Sequence, residues 1–251
     1  RWSDLDRFMA SSVFTPNDSV GTGAAGVVDL DDDGLGEFVV SRPALGQVHV
    51  YRGDATFPRS TAPWQAFPGG DGGVGRPTTE MFGNVLAAAG DHDGDGRPDV
   101  VIAETTRNAF SVWSWTPAAR SFTRINERMR TGSGWGRAVA ANDIDGDGRS
   151  DVLVALADGV DIAYTGPRGN ELLQPPATDG GSRTFLVRAT VDANGDGLFD
   201  PMVSARFSNA AWIYYALTGT SRLQPRPIPV PATGGFGWWI AALRTRHRAV
   251  F

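Results

Sequence analysis

Short apolar segments recur along the chain in a fixed order around four acidic loops. A strand of small apolar residues precedes each loop, a β-branched strand follows it, and an alternating apolar strand comes third. The strands before the loops are predicted at 21–28, 82–89, 135–141 and 184–191, and those after them at 38–40, 100–102, 152–154 and 202–203. The third strands are predicted at 47–51, 110–115, 160–164 and 211–215, and a fourth strand is clear only at 122–125. Long amphipathic helical patterns are missing, so the sequence predicts an all-β fold.

The acidic loops turn this pattern into an internal repeat. They begin at Asp29, Asp91, Asp143 and Asp192, and these starts lie 62, 52 and 49 residues apart. A period near 50 residues is longer than that of most helical repeats and fits one four-stranded blade of a β-propeller. The sequence therefore predicts a single β-propeller domain over residues 1–251, with about five four-stranded blades.

Five repeat units can be traced, and the last of them is short. The units are predicted at approximately 20–60, 82–130, 135–175, 184–230, and 236–251 combined with 1–14. The N-terminal segment is similar to the outer-strand segment 121–129, so we expect it to complete the last blade and close the ring. The stretch 60–80, which links the first two units, shows no strand pattern.

Oxygen-bearing side chains occupy positions 1, 3, 5 and 9 of each nine-residue loop. Alternate residues of a tight loop converge on one point, a Gly at position 6 permits a sharp turn, and the carbonyl at position 7 can add an oxygen. This donor set suits Ca²⁺ better than Mg²⁺, which keeps more water. We expect about four Ca²⁺ ions, bound by the side chains of Asp29, Asp31, Asp33 and Glu37; Asp91, Asp93, Asp95 and Asp99; Asp143, Asp145, Asp147 and Asp151; and Asp192, Asn194, Asp196 and Asp200. The backbone carbonyls are those of Leu35, Arg97, Arg149 and Leu198. The alternative is four solvated acidic turns without metal.

A family resemblance rests on these loops and on two flanking motifs. The motifs are Phe82-Gly83, repeated at Phe236-Gly237, and the strand-turn-strand segment that contains 41–44 and 46–51. The chain resembles the FG-GAP repeat, also called the VCBS-type or integrin-α-like repeat. The resemblance implies Ca²⁺-binding loops and a β-propeller that is often seven-bladed, so a fragment of a seven-bladed ring is the alternative to five blades. The fifth unit departs from the family because Arg244–Arg248 stands where the acidic loop would be.

Composition narrows the possible chemistry. The absence of Cys excludes disulfides, thiolate catalysis and Cys-ligated zinc. The formal charge is −5, but sixteen of the 28 acidic residues lie in the loops, so bound cations would change the charge of the surface. No apolar run is long enough to span a membrane, and no basic motif with interleaved aromatic residues indicates nucleic-acid binding.

Outside the loops, the tryptophan residues are the main candidates for ligand binding. Of the eight Trp residues, the candidates for ligand binding are Trp64, Trp135, Trp238 and Trp239. Indole rings stack on sugars, although they also fill the space between blades. The triplet Arg52-Gly53-Asp54 matches an integrin-binding tripeptide, but the triplet also occurs by chance and Gly-Asp is ordinary turn chemistry, so we interpret the match as a coincidence.

These features favour a recognition or adhesion module over an enzyme. Calcium loops of low affinity fill where Ca²⁺ is millimolar, so we expect a secreted or cell-surface protein. The expected partner is a carbohydrate or a cell-surface protein, without nucleic-acid binding or membrane insertion. A polysaccharide lyase or hydrolase is one alternative, although nothing in the sequence pairs its candidate acids Glu104, Asp158, Asp161 and Glu171. An architectural domain of a larger adhesin or toxin is the other.

Overall fold

A computed structural model describes 13 segments of the chain, and every regular element in them is a β-strand. The segments are 24–26, 29–31, 33–42, 46–53, 64–68, 82–119, 121–130, 136–176, 185–205, 210–216, 223–228, 243–244 and 249–250. Within these segments the structure confirms an all-β fold built of four-stranded antiparallel sheets, an arrangement consistent with β-propeller blades. Most of the segments predicted to form the fifth unit lie outside the described residues.

Each of the four-stranded sheets is a meander whose strands follow one another in chain order. The first sheet contains β1 (Ala24–Gly26), β2 (Phe38–Arg42), β3 (Gln47–Tyr51) and β4 (Gln65–Pro68). The second contains β5 (Phe82–Ala88), β6 (Val100–Glu104), β7 (Ala109–Thr116) and β8 (Ser121–Met129). The third contains β9 (Val139–Asn142), β10 (Asp151–Ala155), β11 (Val160–Ala163) and β12 (Asn170–Leu173). The fourth contains β13 (Phe185–Val191), β14 (Asp200–Ala205), β15 (Ala210–Tyr214) and β16 (Pro225–Pro227), and β17 (Leu243–Arg244) pairs with β18 (Ala249–Val250).

The chain divides into two compact units, each with its own apolar core. Unit 1 comprises 1–88 and 97–129, and unit 2 comprises 89–96 and 130–251. The core of unit 1 lies between the first two sheets, where Val48, Phe82 and Ile102 are fully buried. The core of unit 2 lies between the third and fourth sheets and includes the fully buried Leu153 and Phe185. The second strands are buried along almost their whole length, which explains their β-branched runs.

The Phe-Gly motif at the start of β5 is explained by packing inside unit 1. Phe82 is fully buried against Trp113, with ring centroids 6.3 Å apart. Gly83 has a φ of +79°, and a Cβ on it would lie 2.5 Å from Val48 Cγ2 and 3.1 Å from Ser41 Cβ. Only glycine fits this backbone conformation and this close approach.

The fourth strands are the elements that the sequence pattern largely misses. The stretch 60–80 contains β4, so the prediction that it lacks a strand is wrong. In the fourth sheet, the Ile228 N–H donates to the Ala211 carbonyl of β15 at 2.9 Å. Because backbone N–H groups alternate in direction along a strand, Pro225 and Pro227 occupy positions that face away from β15. Proline has no N–H to leave unpaired at this outer edge.

Candidate metal centres

Each acidic loop connects the first and second strands of one sheet. The loops span 29–37, 91–99, 143–151 and 192–200. Antiparallel pairing on either side brings the two ends of each loop together, as the pair Asp151 and Asn142 shows in the third sheet. The loop backbone must therefore turn within about nine residues, which favours internal hydrogen bonds from side chain to backbone.

The Asp at position 1 organises the turn in all four loops. Its Oδ2 accepts the N–H of the glycine at position 6, over 2.6 to 2.9 Å. These glycines have φ values between +86° and +92°, a region that L-residues rarely adopt, and they are Gly34, Gly96, Gly148 and Gly197. The same bonds hold the Asp at position 1 against the loop, so its carboxylate is held in place by the backbone itself.

The acid at position 9 ties the loop to the rest of its sheet. Glu37, Asp151 and Asp200 are buried, and each accepts the N–H of the residue at loop position 2, over 2.6 to 3.0 Å. The other oxygen of each accepts an N–H just beyond the third strand, from Gly53 at 3.4 Å, Thr165 at 2.9 Å and Ala216 at 2.8 Å. Asp99, the ninth residue of the second loop, is also buried.

Carboxylates converge in the first and third loops. Asp29, Asp31 and Asp33 each offer one oxygen within 4.8 Å of the others, and so do Asp143, Asp145 and Asp151. Oxygens bound to one Ca²⁺ at about 2.3–2.6 Å are at most about 5 Å apart, so both groups fit this ion. In the second loop, Asp91, Asp93 and Asp95 belong to unit 2 and Asp99 to unit 1. The fourth loop has Asn194 in place of an acid at position 3.

The first loop also contains a buried carboxylate oxygen without a donor. The side chain of Asp31 is 8% exposed, and its Oδ1 has no hydrogen-bond partner among the described residues. Its Oδ2 pairs with the Arg52 guanidinium, whose Nε also donates to Asp33 at 3.1 Å. Leaving a buried anionic oxygen unpaired costs free energy, and a cation bound to that oxygen would remove the cost.

The surroundings of several loop carboxylates disfavour their charged forms. Burial raises the pKa of Asp151 to about 7, although backbone donors oppose the shift. Burial likewise raises the pKa of Glu37 and of Asp200. The pKa values of Asp31 and Asp145 are raised first by burial and further by neighbouring loop carboxylates. A divalent cation would stabilise the charged form of each group.

The remaining predicted ligands lie at positions 5 and 7. The carboxylate at position 5 accepts the N–H of the residue at position 7 in three loops, over 2.8 to 2.9 Å; the pairs are Asp33 with Leu35, Asp147 with Arg149, and Asp196 with Leu198. Leu35 and Arg149 are exposed, whereas Arg97 and Leu198 are half-buried. Asn194 donates its side-chain N–H to Asp196 at 2.8 Å, so the fourth loop pairs an amide with a carboxylate.

Of the candidate ligand-binding tryptophans, Trp64 lies within the described residues. Its ring centroid is 4.6 Å from that of Trp115 and 6.3 Å from that of Phe122. The Arg52 guanidinium lies 5.4 Å above the Trp64 ring, and these groups border a cavity of about 410 Å³. The other three candidates, Trp135, Trp238 and Trp239, lie outside the described residues.

Two residues of the triplet at 52–54, Arg52 and Gly53, support the first acidic loop. Arg52 pairs with Asp31 and Asp33, and the Gly53 N–H donates to Glu37. A Cβ on Gly53 would lie 2.4 Å from the Gly36 carbonyl oxygen, so the turn requires glycine. The sequence signal was the position of Arg52 directly after the third strand, which carries the chain back to the loop.

Three of the acids considered for glycoside cleavage are in ion pairs within their own units. Glu104 pairs with Arg107 at 2.9 Å, and Asp161 pairs with Arg130 at 3.3 Å. Glu171 pairs with Arg168 at 3.0 Å. These pairings give each carboxylate a structural partner.

Comparison with known proteins supports the family resemblance. The family model of the FG-GAP-like repeat matches residues 91–154, from the second acidic loop to β10. This confirms the resemblance: the matched part is an FG-GAP-like repeat, consistent with an FG-GAP/VCBS-type repeat protein. A search of curated proteins finds no match. FG-GAP repeats often bind calcium and are typical of extracellular proteins. Within the described residues, no helix is long and apolar enough to cross a membrane.

Proposed function

We propose that the protein is a calcium-stabilised, extracellular β-propeller module that recognises a carbohydrate or a cell-surface protein. The observation that carries the proposal is the convergence of three carboxylate oxygens within 4.8 Å in the first and third loops. In the first loop, the buried and unpartnered Oδ1 of Asp31 supports it independently. A solvated acidic turn would leave such an oxygen in contact with water.

Calcium has a structural role in this proposal. Four ions bind, one to each loop, through positions 1, 3, 5 and 9 and the carbonyl at position 7. The acid at position 9 is hydrogen-bonded both to its own loop and beyond the third strand in three sheets. An ion that fixes this acid therefore stabilises three strands of the sheet at once, and its binding free energy adds to folding stability.

The ring geometry and the location of the protein follow from the same proposal. The four-stranded sheets act as blades of one propeller domain of five blades, closed by the N-terminal strand, with a seven-bladed ring as the alternative. The location is extracellular because loops of this kind, when they bind Ca²⁺ with dissociation constants of about 0.1–1 mM, are filled outside the cell.

Calorimetry tests the metal assignment. We expect heat of Ca²⁺ binding with a stoichiometry near four, and a melting temperature that falls when EGTA is added. Each site at tenfold excess over its dissociation constant adds about 1.4 kcal/mol to the free energy of unfolding. MgCl₂ is the ion control, and Asp158→Asn is the matched variant because Asp158 is exposed and lies outside the loops. No heat and a melting curve indifferent to EGTA would refute the proposal.

The recognition role needs a separate assay. Binding of the calcium-loaded chain to a glycan array or to intact cells supports it. Degradation of a polysaccharide by the same preparation would instead indicate an enzyme. No binding in either assay would leave an architectural role for the calcium-bound domain.

A further inference from the structure

The cavity in unit 1 has the size and the lining of a small-ligand site. Its volume of about 410 Å³ lies within the range of small-molecule pockets, which begins near 300 Å³. Its wall combines indole rings and a proline with a carboxylate, a guanidinium and an amide; the lining residues are Asp31, Arg52, Trp64, Gln65, Trp115 and Pro117. This mixture of apolar surface and few polar groups is typical of ligand recognition.

The apolar wall is held by packing behind it. Trp115 is buried, and its ring centroid lies 5.2 Å from that of Phe122. Trp64 packs against both rings and remains half-buried. Its main-chain N–H donates to the Val50 carbonyl at 2.8 Å, which fixes the backbone at this point. The indole of Trp64 is therefore preorganised, and little free energy is needed to order it on binding.

The polar side of the cavity is held by the first acidic loop. Arg52 uses Nε and Nη2 to bind Asp33 and Asp31, so the position of the guanidinium, whose side chain is 48% exposed, depends on these two carboxylates. A guanidinium has five N–H groups, and these two bonds leave others available to the cavity. Gln65 adds an amide, which both donates and accepts.

We propose that this cavity binds a neutral pyranose sugar, with Trp64 against the C–H face of the ring and Arg52 donating to its hydroxyl groups. A sugar matches the lining because it has an apolar face and a rim of groups that donate and accept. An acidic ligand is disfavoured because the first loop contains five acidic residues, and one Ca²⁺ ion together with Arg52 offsets only three of their charges. This inference rests on the proposed recognition function and specifies its site and ligand class.

The first loop couples this site to calcium. Arg52 binds Oδ2 of Asp31, whereas the unpartnered atom is Oδ1. An ion on Oδ1 therefore does not compete with Arg52 for the same oxygen. By fixing Asp31 it fixes Arg52, which makes Asp31 a positioning residue for sugar binding. Calcium should accordingly increase sugar affinity, and linkage requires the sugar to increase calcium affinity equally.

The experiment is a titration of the full chain with methyl glycosides, followed by saturation-transfer NMR and calorimetry. The probes are the methyl glycosides of glucose, galactose, mannose and N-acetylglucosamine, with methyl glucuronide as the acidic probe. We expect one neutral glycoside to bind, with affinity reduced about tenfold or more by Trp64→Ala and about threefold or more by Arg52→Gln. The matched control is Arg168→Gln, because Arg168 lies 4.3 Å above Tyr164 in unit 2 and lines no part of the cavity. EGTA should weaken binding about threefold or more.

Several outcomes would overturn the inference. One is unchanged sugar binding by Trp64→Ala and Arg52→Gln variants whose near-UV circular dichroism matches that of the wild type. Another is binding of the glucuronide alone, and a third is the absence of glycoside binding by a chain that takes up calcium normally. If Trp64→Ala fails to fold, Trp64→Phe takes its place and should still weaken binding. Glycan binding elsewhere on the chain would leave the proposed function intact, whereas missing calcium uptake would contradict that function separately.

Discussion

Replacing Gly83 by alanine tests the packing that the Phe-Gly motif provides within unit 1. The backbone φ of +79° costs an L-residue about 1–2 kcal/mol. The new Cβ would also lie 2.5 Å from Val48 Cγ2 and 3.1 Å from Ser41 Cβ, and overpacking of this kind costs about 1–3 kcal/mol. We therefore expect Gly83→Ala to lower the free energy of unfolding by about 2–5 kcal/mol.

Gly169 offers a matched control because it isolates the backbone contribution. Its φ is +80°, and a Cβ on it would have nothing within 4 Å, so Gly169→Ala should cost only about 1–2 kcal/mol. Val48→Ala removes Cγ2 of Val48, the atom with which the new Cβ at position 83 would clash. In that background, we expect the cost of Gly83→Ala to fall towards that of Gly169→Ala, a coupling of about 1–3 kcal/mol.

Urea unfolding followed by tryptophan fluorescence measures all of these proteins, because Trp113 packs in the same core as Phe82. Saturating calcium in every sample keeps the loops in one state. The steric reasoning is wrong if Gly83→Ala costs no more than Gly169→Ala, or if Val48→Ala leaves the cost of Gly83→Ala unchanged.

Three further predictions concern a histidine, a loop acid and a half-buried glutamate. Burial lowers the pKa of His49 from 6.5 to about 4, so stability should fall as the pH drops from 6.5 to 4, by roughly 2–3 kcal/mol in urea titrations. His49→Gln should remove that part of the pH dependence, and identical pH curves would contradict it. Asp145→Asn should weaken calcium binding at the third loop about tenfold by calorimetry, whereas Asp158→Asn should not. Glu171→Gln should lower the free energy of unfolding by about 1.5–3 kcal/mol, because Oε2 accepts from Arg168 Nη2 at 3.0 Å and from the Tyr164 hydroxyl at 3.1 Å, and an amide NH2 in its place can accept neither bond; a change below about 0.5 kcal/mol would argue against it.

The second and third strands of each sheet could be predicted because their side chains are largely buried. The pattern at 47–51 matches β3 in both bounds, and the β-branched run at 100–102 falls within the fully buried β6. The fourth strands other than β8 have no such periodicity. Leu173 is the buried residue of β12, and β16 is mostly exposed and has proline at both ends. Edge strands with this composition resemble loops in sequence.

The grouping of the loop acids could be predicted because these residues are close in sequence. The cavity could not be predicted, because its lining residues come from distant parts of the chain. Positions 1, 3 and 5 lie within one turn of backbone, so spacing alone predicts the convergence in the first loop, whereas the third loop brings together positions 1, 3 and 9. Arg52 reaches Asp31 across 21 residues, and that contact depends on the pairing of β2 with β3. Trp64 meets Trp115 only because the first two sheets pack together in unit 1. The packing of the two sheets leaves no signal in residue spacing.

The prolines at the outer edge of the fourth sheet also affect how copies of the chain behave when crowded. A strand from a second molecule could extend this sheet at β16 only by accepting hydrogen bonds from N–H groups that face outward. At two of these outward positions, Pro225 and Pro227 have no N–H to donate. That edge therefore resists the cross-molecular β-pairing that begins aggregation. A module displayed at high density on a surface would keep its neighbours apart at this edge without needing surface charge to do so.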